Sequence, residues 1–273
     1  MKLRKKIRKI FKKFFNEIFY FLKIKKNPDY FLKNISGVIH VGANEGQERD
    51  KYKECSLSVI WVEPIPEVFK KLETNIKEYP NQKAFKYLLT DKDNKEVELK
   101  ISNNSGLSSS IFDFGLHSNI WPKVNYINSI KLKSSTLQSL INKEKIEIQK
   151  YQALVLDTQG SELLVLKGAL EILRKFKYIV TEAADFESYV GCCKVEDLSI
   201  YLNNFGFEEK VKTKFAHHSK AGSYYDIVYE RNWKTKKVFE SFYKEKNLSY
   251  FFLSSAWAAA NLAIGTLYGE QET

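Results

Sequence analysis

Cysteine is scarce in this chain: Cys55, Cys192 and Cys193 are the three thiols in 273 residues. Three thiols cannot form a disulfide framework, and the adjacent pair is too close for an ordinary bridge. No spacing resembles a zinc site, so reduced thiols in the cytoplasm are the expectation. Arginine is scarce too, at five of 44 basic residues. Richness in lysine is therefore weak evidence for a partner, and its clustering is the better guide. No small-residue cleavage site follows the first apolar run, which Lys12 and Lys13 interrupt, so the start does not read as a secretory signal. Internal repeats and a base-stacking motif are also lacking. What is present is enough for a folded core, with 44% hydrophobic and 14% aromatic residues.

The net charge of +11 is unevenly placed. Residues 1–26 hold eleven basic side chains against one acid, Glu17, which leaves the rest of the chain almost neutral. Leu3, Ile7, Ile10, Phe11, Phe14, Ile18 and Leu22 recur at spacings of three and four, so residues 1–30 read as an amphipathic helix ended by Asn27, Pro28 and Asp29. Such a helix suits an anionic membrane surface, and it equally suits packing on the domain with its lysines in water. The near-neutral body argues against a nucleic-acid partner. At the other end, residues 250–268 carry no charge but include serines, an asparagine and a glycine. They make a poor membrane span and read better as part of a helical tail over 234–273.

Between these ends, β-branched runs alternate with helical segments. GVIHVG, VIWVE, KAFKYLL, ALVLDT and YIVTEA read as five strands, with helices in PEVFKKLETNIKEY and SELLVLKGALEILRKF. This alternation predicts an α/β domain over 31–233 with a mostly parallel sheet covered on both faces. Residues 94–133 break the rhythm and read as an inserted excursion: a strand, a polar loop at 103–110 with Gly106 as hinge, and a second strand. EEKVKTKF and SYYDIVYE read as a closing antiparallel hairpin with His217 and His218 in its connection.

Three motifs carry the chemistry. Gly42, Asn44 and Gly46 follow the first strand, where glycine lets the backbone turn sharply and a ligand approach the peptide groups. The Gly-x-x-x-Gly spacing is not the pyrophosphate fingerprint. Glu63 ends the second strand about twenty residues later, the place of an acid that accepts from the two hydroxyls of a ribose. Together they fit a nucleoside cofactor without a pyrophosphate, namely S-adenosylmethionine. Asp157 ends the fourth strand at the carboxyl edge, where open α/β sheets bind ligands, and Ser161 reads as the N-cap of the next helix.

The VGANEGQE turn, VEPIPEVFKKLETN and above all LDTQGSELLVLKGA resemble the FkbM-type S-adenosylmethionine-dependent methyltransferases, over about residues 36–230. The resemblance implies a Rossmann-like class I methyltransferase fold: a seven-stranded, mostly parallel sheet whose last strand is antiparallel. It implies methyl transfer to oxygen on a sugar, glycan or other polar hydroxyl acceptor. It also implies that Gly42, Asn44 and Gly46 line the amino-acid end of the cofactor, that Glu63 binds its ribose, and that Asp157 lies near the methyl group. His40 stands where the family pattern has an acid that helps hold the cofactor's ammonium. Asp157, Glu182 and His217 are the candidate proton acceptors for the acceptor hydroxyl. No metal is expected, because nothing adds a further oxygen cluster to Asp157 and Glu182. With the basic arm, these features place the chain in the cytoplasm at the inner membrane face, where a lipid-linked acceptor is within reach. The other reading is a non-catalytic membrane-associated binding protein that keeps the fold, with His40 as its trace.

Overall fold

A computed structural model describes residues 27–232. The expected basic amphipathic helix of residues 1–26 and the tail of 234–273, with its uncharged run, lie outside the described residues.

The main sheet is built on β1 (Gly37–Val41), β2 (Ser58–Val62), β3 (Gln82–Phe85), β7 (Ala153–Leu156), β8 (Tyr178–Ala184), β9 (Phe207–His218) and β10 (Gly222–Arg231). Its order is β3-β2-β1-β7-β8-β10-β9. The first five strands run parallel, and β10 enters antiparallel between β8 and β9. This is the mostly parallel seven-stranded sheet with an antiparallel last strand, the class I methyltransferase arrangement. Every residue of β1 is buried, as a strand covered on both faces requires.

The two faces have separate cores, since side chains alternate across a strand. One packs Ile39, Val41, Leu154 and Leu156 against α4 (Leu137–Lys143), α5 (Glu162–Lys167) and α6 (Val195–Asn203). The other packs Val38, Val59 and Trp61 against Tyr52 of α1 (Arg49–Glu54), Leu72 of α2 (Pro66–Asn75) and Phe31. Trp61 is fully buried, and its indole N–H donates to Gln82 Oε1 at 3.0 Å.

Three expectations need correction. KAFKYLL is two strands, because the chain leaves the main sheet after Phe85, and β4 (Leu88–Leu89) pairs instead with β6 (Tyr126–Ser135). The helix after the TQG turn stops at Lys167. A Cβ on Gly168 would lie 2.1 Å from the Thr90 carbonyl oxygen, so a neighbouring backbone occupies that space. His217 and His218 sit in the ladder of β9, opposite Ser223 and Gly222, and not in a loop. The excursion is otherwise as expected: β5 (Glu96–Ser102) runs antiparallel to β6, and with β4 they form a three-stranded sheet.

Candidate active site

The carboxyl ends of β1, β2 and β7 open into a cleft of about 600 Å³ lined by Gly42, Asn44, Glu63, Ile65, Leu88, Leu89, Leu99, Gly106, Asp157 and Gln159, among others. Gly42 has φ 81°, and a Cβ there would lie 1.8 Å from the Asp157 carbonyl oxygen. Glycine is therefore obligatory at this point, where β1 and β7 part. Asn44 is also left-handed, at φ 45°, a conformation asparagine tolerates better than most.

Glu63 is 4% exposed and ties two segments together. Its Oε2 accepts from the Asn44 N–H and its Oε1 from the Ile65 N–H, both at 2.9 Å. Each oxygen keeps a second lone pair for a ligand hydroxyl. Burial pushes its pKa up to about 7, opposed by the two amides and reinforced by Asp157.

Asp157 follows β7, and its pKa is likewise pushed up to about 7, chiefly by burial. A hydrogen bond from Gln159 Nε2 opposes this, while Glu162, Glu48 and Asp226 add to it. Ser161 stands at the N-cap of the next helix as expected, but its side chain makes no capping bond: its hydroxyl donates to the Thr158 carbonyl. Glu162 takes over the turn instead, accepting from the Thr158 N–H at 2.9 Å and the Gly160 N–H at 3.1 Å. Carboxylate reach decides this, since Glu162 can serve both amides of the tight TQG turn.

Beyond Gln159 lies a second cavity of about 260 Å³, lined by Glu182, Ser188, Tyr189, Cys193 and Tyr224 among others. Glu182 on β8 is paired in register with Asp226 on β10, and its carboxyl has no hydrogen bond among the described residues. Burial, then Asp157 and Asp226, raise its pKa well above the ordinary glutamate value. The loop of residues 103–110 roofs the first cleft. Asn44 Nδ2 donates to the Ser105 carbonyl at 3.1 Å, and Ser110 Oγ to the Gln159 carbonyl at 2.7 Å. The loop thus joins the glycine turn to the TQG turn.

The structure brings Gly42, Asn44, Glu63 and Asp157 to one cleft, with Glu182 on the adjoining cavity. Gly46 lies on the same turn, where a Cβ would press on Leu72 at 2.7 Å. It does not bring His40 there. His40 is 5% exposed in the second core, stacked on Trp61 at 5.1 Å with Nδ1 3.1 Å from the Tyr52 hydroxyl. Burial lowers its pKa. His217 is exposed on the edge strand, its Nδ1 3.0 Å from Ser223 Oγ, and it lines neither cavity.

Two residues that sequence reasoning passed over stand out. His117 is 2% exposed, in α3 (His117–Ile120), packed between Phe114 at 4.9 Å and Trp121 at 4.8 Å. Its Nδ1 lies 2.9 Å from the Tyr224 hydroxyl, its Nε2 is buried without a partner, and burial lowers its pKa to about 4. Tyr189 is 1% exposed, and its hydroxyl donates to Gln159 Oε1 at 2.6 Å. The aromatic run FDFGLHSNIW is the one sequence signal for this cluster. Among the described residues no group of three or more His, Cys, Asp or Glu side chains is arranged to hold a metal.

Residues 40–209 match the methyltransferase FkbM domain. The 2-O-methyltransferase NoeI of Sinorhizobium fredii is 24% identical over 162 residues, covering 56% of this chain. The chain spans 65% of the length of that relative. Among solved structures, the chain is similar to M. capricolum TrmK with S-adenosyl-homocysteine, at TM-score 0.42 and 8% identity, covering 75% of this chain and 67% of that one. It is also similar to Streptococcus pneumoniae Sp1610, a putative tRNA (m1A22) methyltransferase, with S-adenosyl-L-methionine. There the TM-score is 0.43 and identity 12%, with 87% of each chain covered.

Proposed function

The chain belongs to the FkbM methyltransferase domain family, and from that premise we propose that it transfers a methyl group from S-adenosylmethionine to a hydroxyl oxygen of a sugar, glycan or lipid-linked polar acceptor. The observation that carries this reading is the charge of the cleft. Its lining includes two acids, the buried Glu63 and the half-buried Asp157, and no lysine or arginine. A diphosphate would be repelled there, whereas a ligand with a diol and positive charge is matched.

The residues divide the cofactor among them. Glu63 would accept from the ribose hydroxyls, and Ile65, Leu88, Leu89 and Leu99 supply an apolar wall for the adenine. Gly42 and Asn44 would meet the amino-acid end, and Asp157 the positive centre. Bound there, S-adenosylmethionine supplies an activated methyl group. The chain's own part is to orient the acceptor oxygen, which can contribute about 7–11 kcal/mol, and to take its proton. Asp157 and Glu182 are the carboxylates that would take it. Similarity to a 2-O-methyltransferase supports oxygen as the acceptor atom.

Calorimetry with S-adenosylhomocysteine tests the reading. Micromolar binding is expected, and Glu63→Ala should weaken it about 10–100-fold through loss of charge-assisted hydrogen bonds. Folded wild-type protein that gives no heat would sink the idea. The lysine-rich arm is proposed to dock on anionic lipid at the cytoplasmic face. Sedimentation with phosphatidylserine vesicles should retain the full chain and lose a variant lacking residues 1–26. Equal retention of both would remove the membrane from the account.

A further inference from the structure

Gln159 occupies a left-handed backbone conformation, φ 52°. That conformation strains a residue with a side chain, and glycine adopts it freely. The sequence nevertheless places glutamine there, and both ends of its amide are engaged. Nε2 donates to Asp157 Oδ1 at 2.5 Å, and Oε1 accepts from the Tyr189 hydroxyl at 2.6 Å.

Tyr189 is itself held firmly. Its ring packs on His117 at 5.1 Å and Phe114 at 5.7 Å. The absence of a Cβ on Gly160 admits it, since that atom would lie 3.2 Å from Tyr189 Cδ2. The chain of bonds has one direction: the hydroxyl gives its hydrogen to the amide oxygen, and the amide gives its own to the carboxylate. A flipped amide would set its oxygen against the Asp157 carboxylate, so the tyrosine fixes the orientation. Gln159 also lines both cavities, with Asp157 on one and Glu182 on the other.

The geometry points to Tyr189 and Gln159 as positioning residues for Asp157: their hydrogen-bond chain holds one carboxylate oxygen in place and leaves the other free to take the acceptor proton. This rests on the reading of the cleft as a methyltransfer site. Asp157 needs such support, because the charged groups that act on it are acids from every side. They are Glu48 before α1, Glu63 after β2, Glu162 in α5, Glu182 on β8 and Asp226 on β10. The Gln159 N–H is the hydrogen bond that favours its ionised form.

The test compares the affinities of S-adenosylmethionine and S-adenosylhomocysteine by calorimetry on the full chain, across about pH 5.5–9. Only the first carries the sulfonium charge, so their ratio reports a nearby ionising carboxylate, while the effect of Glu63 on the shared ribose cancels. In the wild type the ratio should change with a midpoint at about 7. In Tyr189→Phe the midpoint should move up by about one pH unit, with S-adenosylhomocysteine still bound. Gln159→Gly should show the same move while Tm holds or rises, because the backbone strain is relieved. A merely structural role would lower Tm and leave the midpoint in place. Unmoved midpoints in both variants, with S-adenosylhomocysteine bound, overturn the positioning role alone. A wild type that binds neither ligand overturns the cleft reading as well.

Discussion

Gly42→Ala is expected to abolish S-adenosylhomocysteine binding and to lower Tm by about 10 °C, equivalent to about 3–5 kcal/mol in a domain of this size. Two costs add. The backbone at φ 81° disfavours any L side chain, and the new Cβ would lie 1.8 Å from the Asp157 carbonyl oxygen and 2.6 Å from its carbon. Backbone atoms cannot turn aside as a flexible side chain can, so β1 and β7 must separate at their carboxyl ends. That is where Glu63 and Asp157 line the cleft. Gly191 is the control: its φ is 77°, yet a Cβ there meets nothing within 4 Å. Gly191→Ala should cost only the conformational part, about 1 kcal/mol. If the two variants melt together and both bind ligand, the cleft does not depend on the Gly42 approach.

Asp157→Asn should cut methyl transfer by about 10²–10⁴-fold, the usual worth of a proton acceptor, and yet stabilise the fold above neutral pH. The sign follows from its pKa, raised to about 7 in the fold and about 3.9 in the unfolded chain. Between those values the folded protein binds more protons than the unfolded one. Stability therefore falls as pH rises through that window, and the loss is complete above about 7. Asparagine removes the titrating charge, and its Oδ1 can still accept from Gln159. The gain in Tm over wild type should be full at about pH 8 and shrink steadily towards about pH 4. Scanning calorimetry at several pH values checks it. A gain independent of pH would mean that Asp157 binds protons alike in the folded and unfolded chain, so that the fold does not raise its pKa. If Glu182→Gln loses activity and Asp157→Asn does not, the proton goes to Glu182.

Much of the fold was legible because its signals are local. The buried strands β1, β2, β7 and β8 stand out as β-branched runs, and the glycine turn and two strand-ending acids sit at the carboxyl edge by strand length alone. KAFKYLL misled because its extended, strand-like pattern runs on while its partner changes, from β2 for one half to β6 for the other. The segment after the TQG turn misled because helical periodicity cannot show that the Thr90 backbone presses on Gly168.

The candidate site divides in the same way. The sequence by itself determined the α/β alternation, the placing of Gly42, Glu63 and Asp157 at strand ends, and the neutral body with its basic arm. Backbone conformation and side-chain periodicity are properties of neighbouring residues. Only the tertiary structure decided which polar groups face the cleft. Trp61 and Tyr52 draw His40 into the core, Tyr224 and Phe114 enclose His117, and Tyr189, thirty residues away, orients Gln159. The burial and hydrogen bonding of a side chain are set by distant segments, which here are α1, β2 and β10 together with the excursion at 94–133 and the loop after β8.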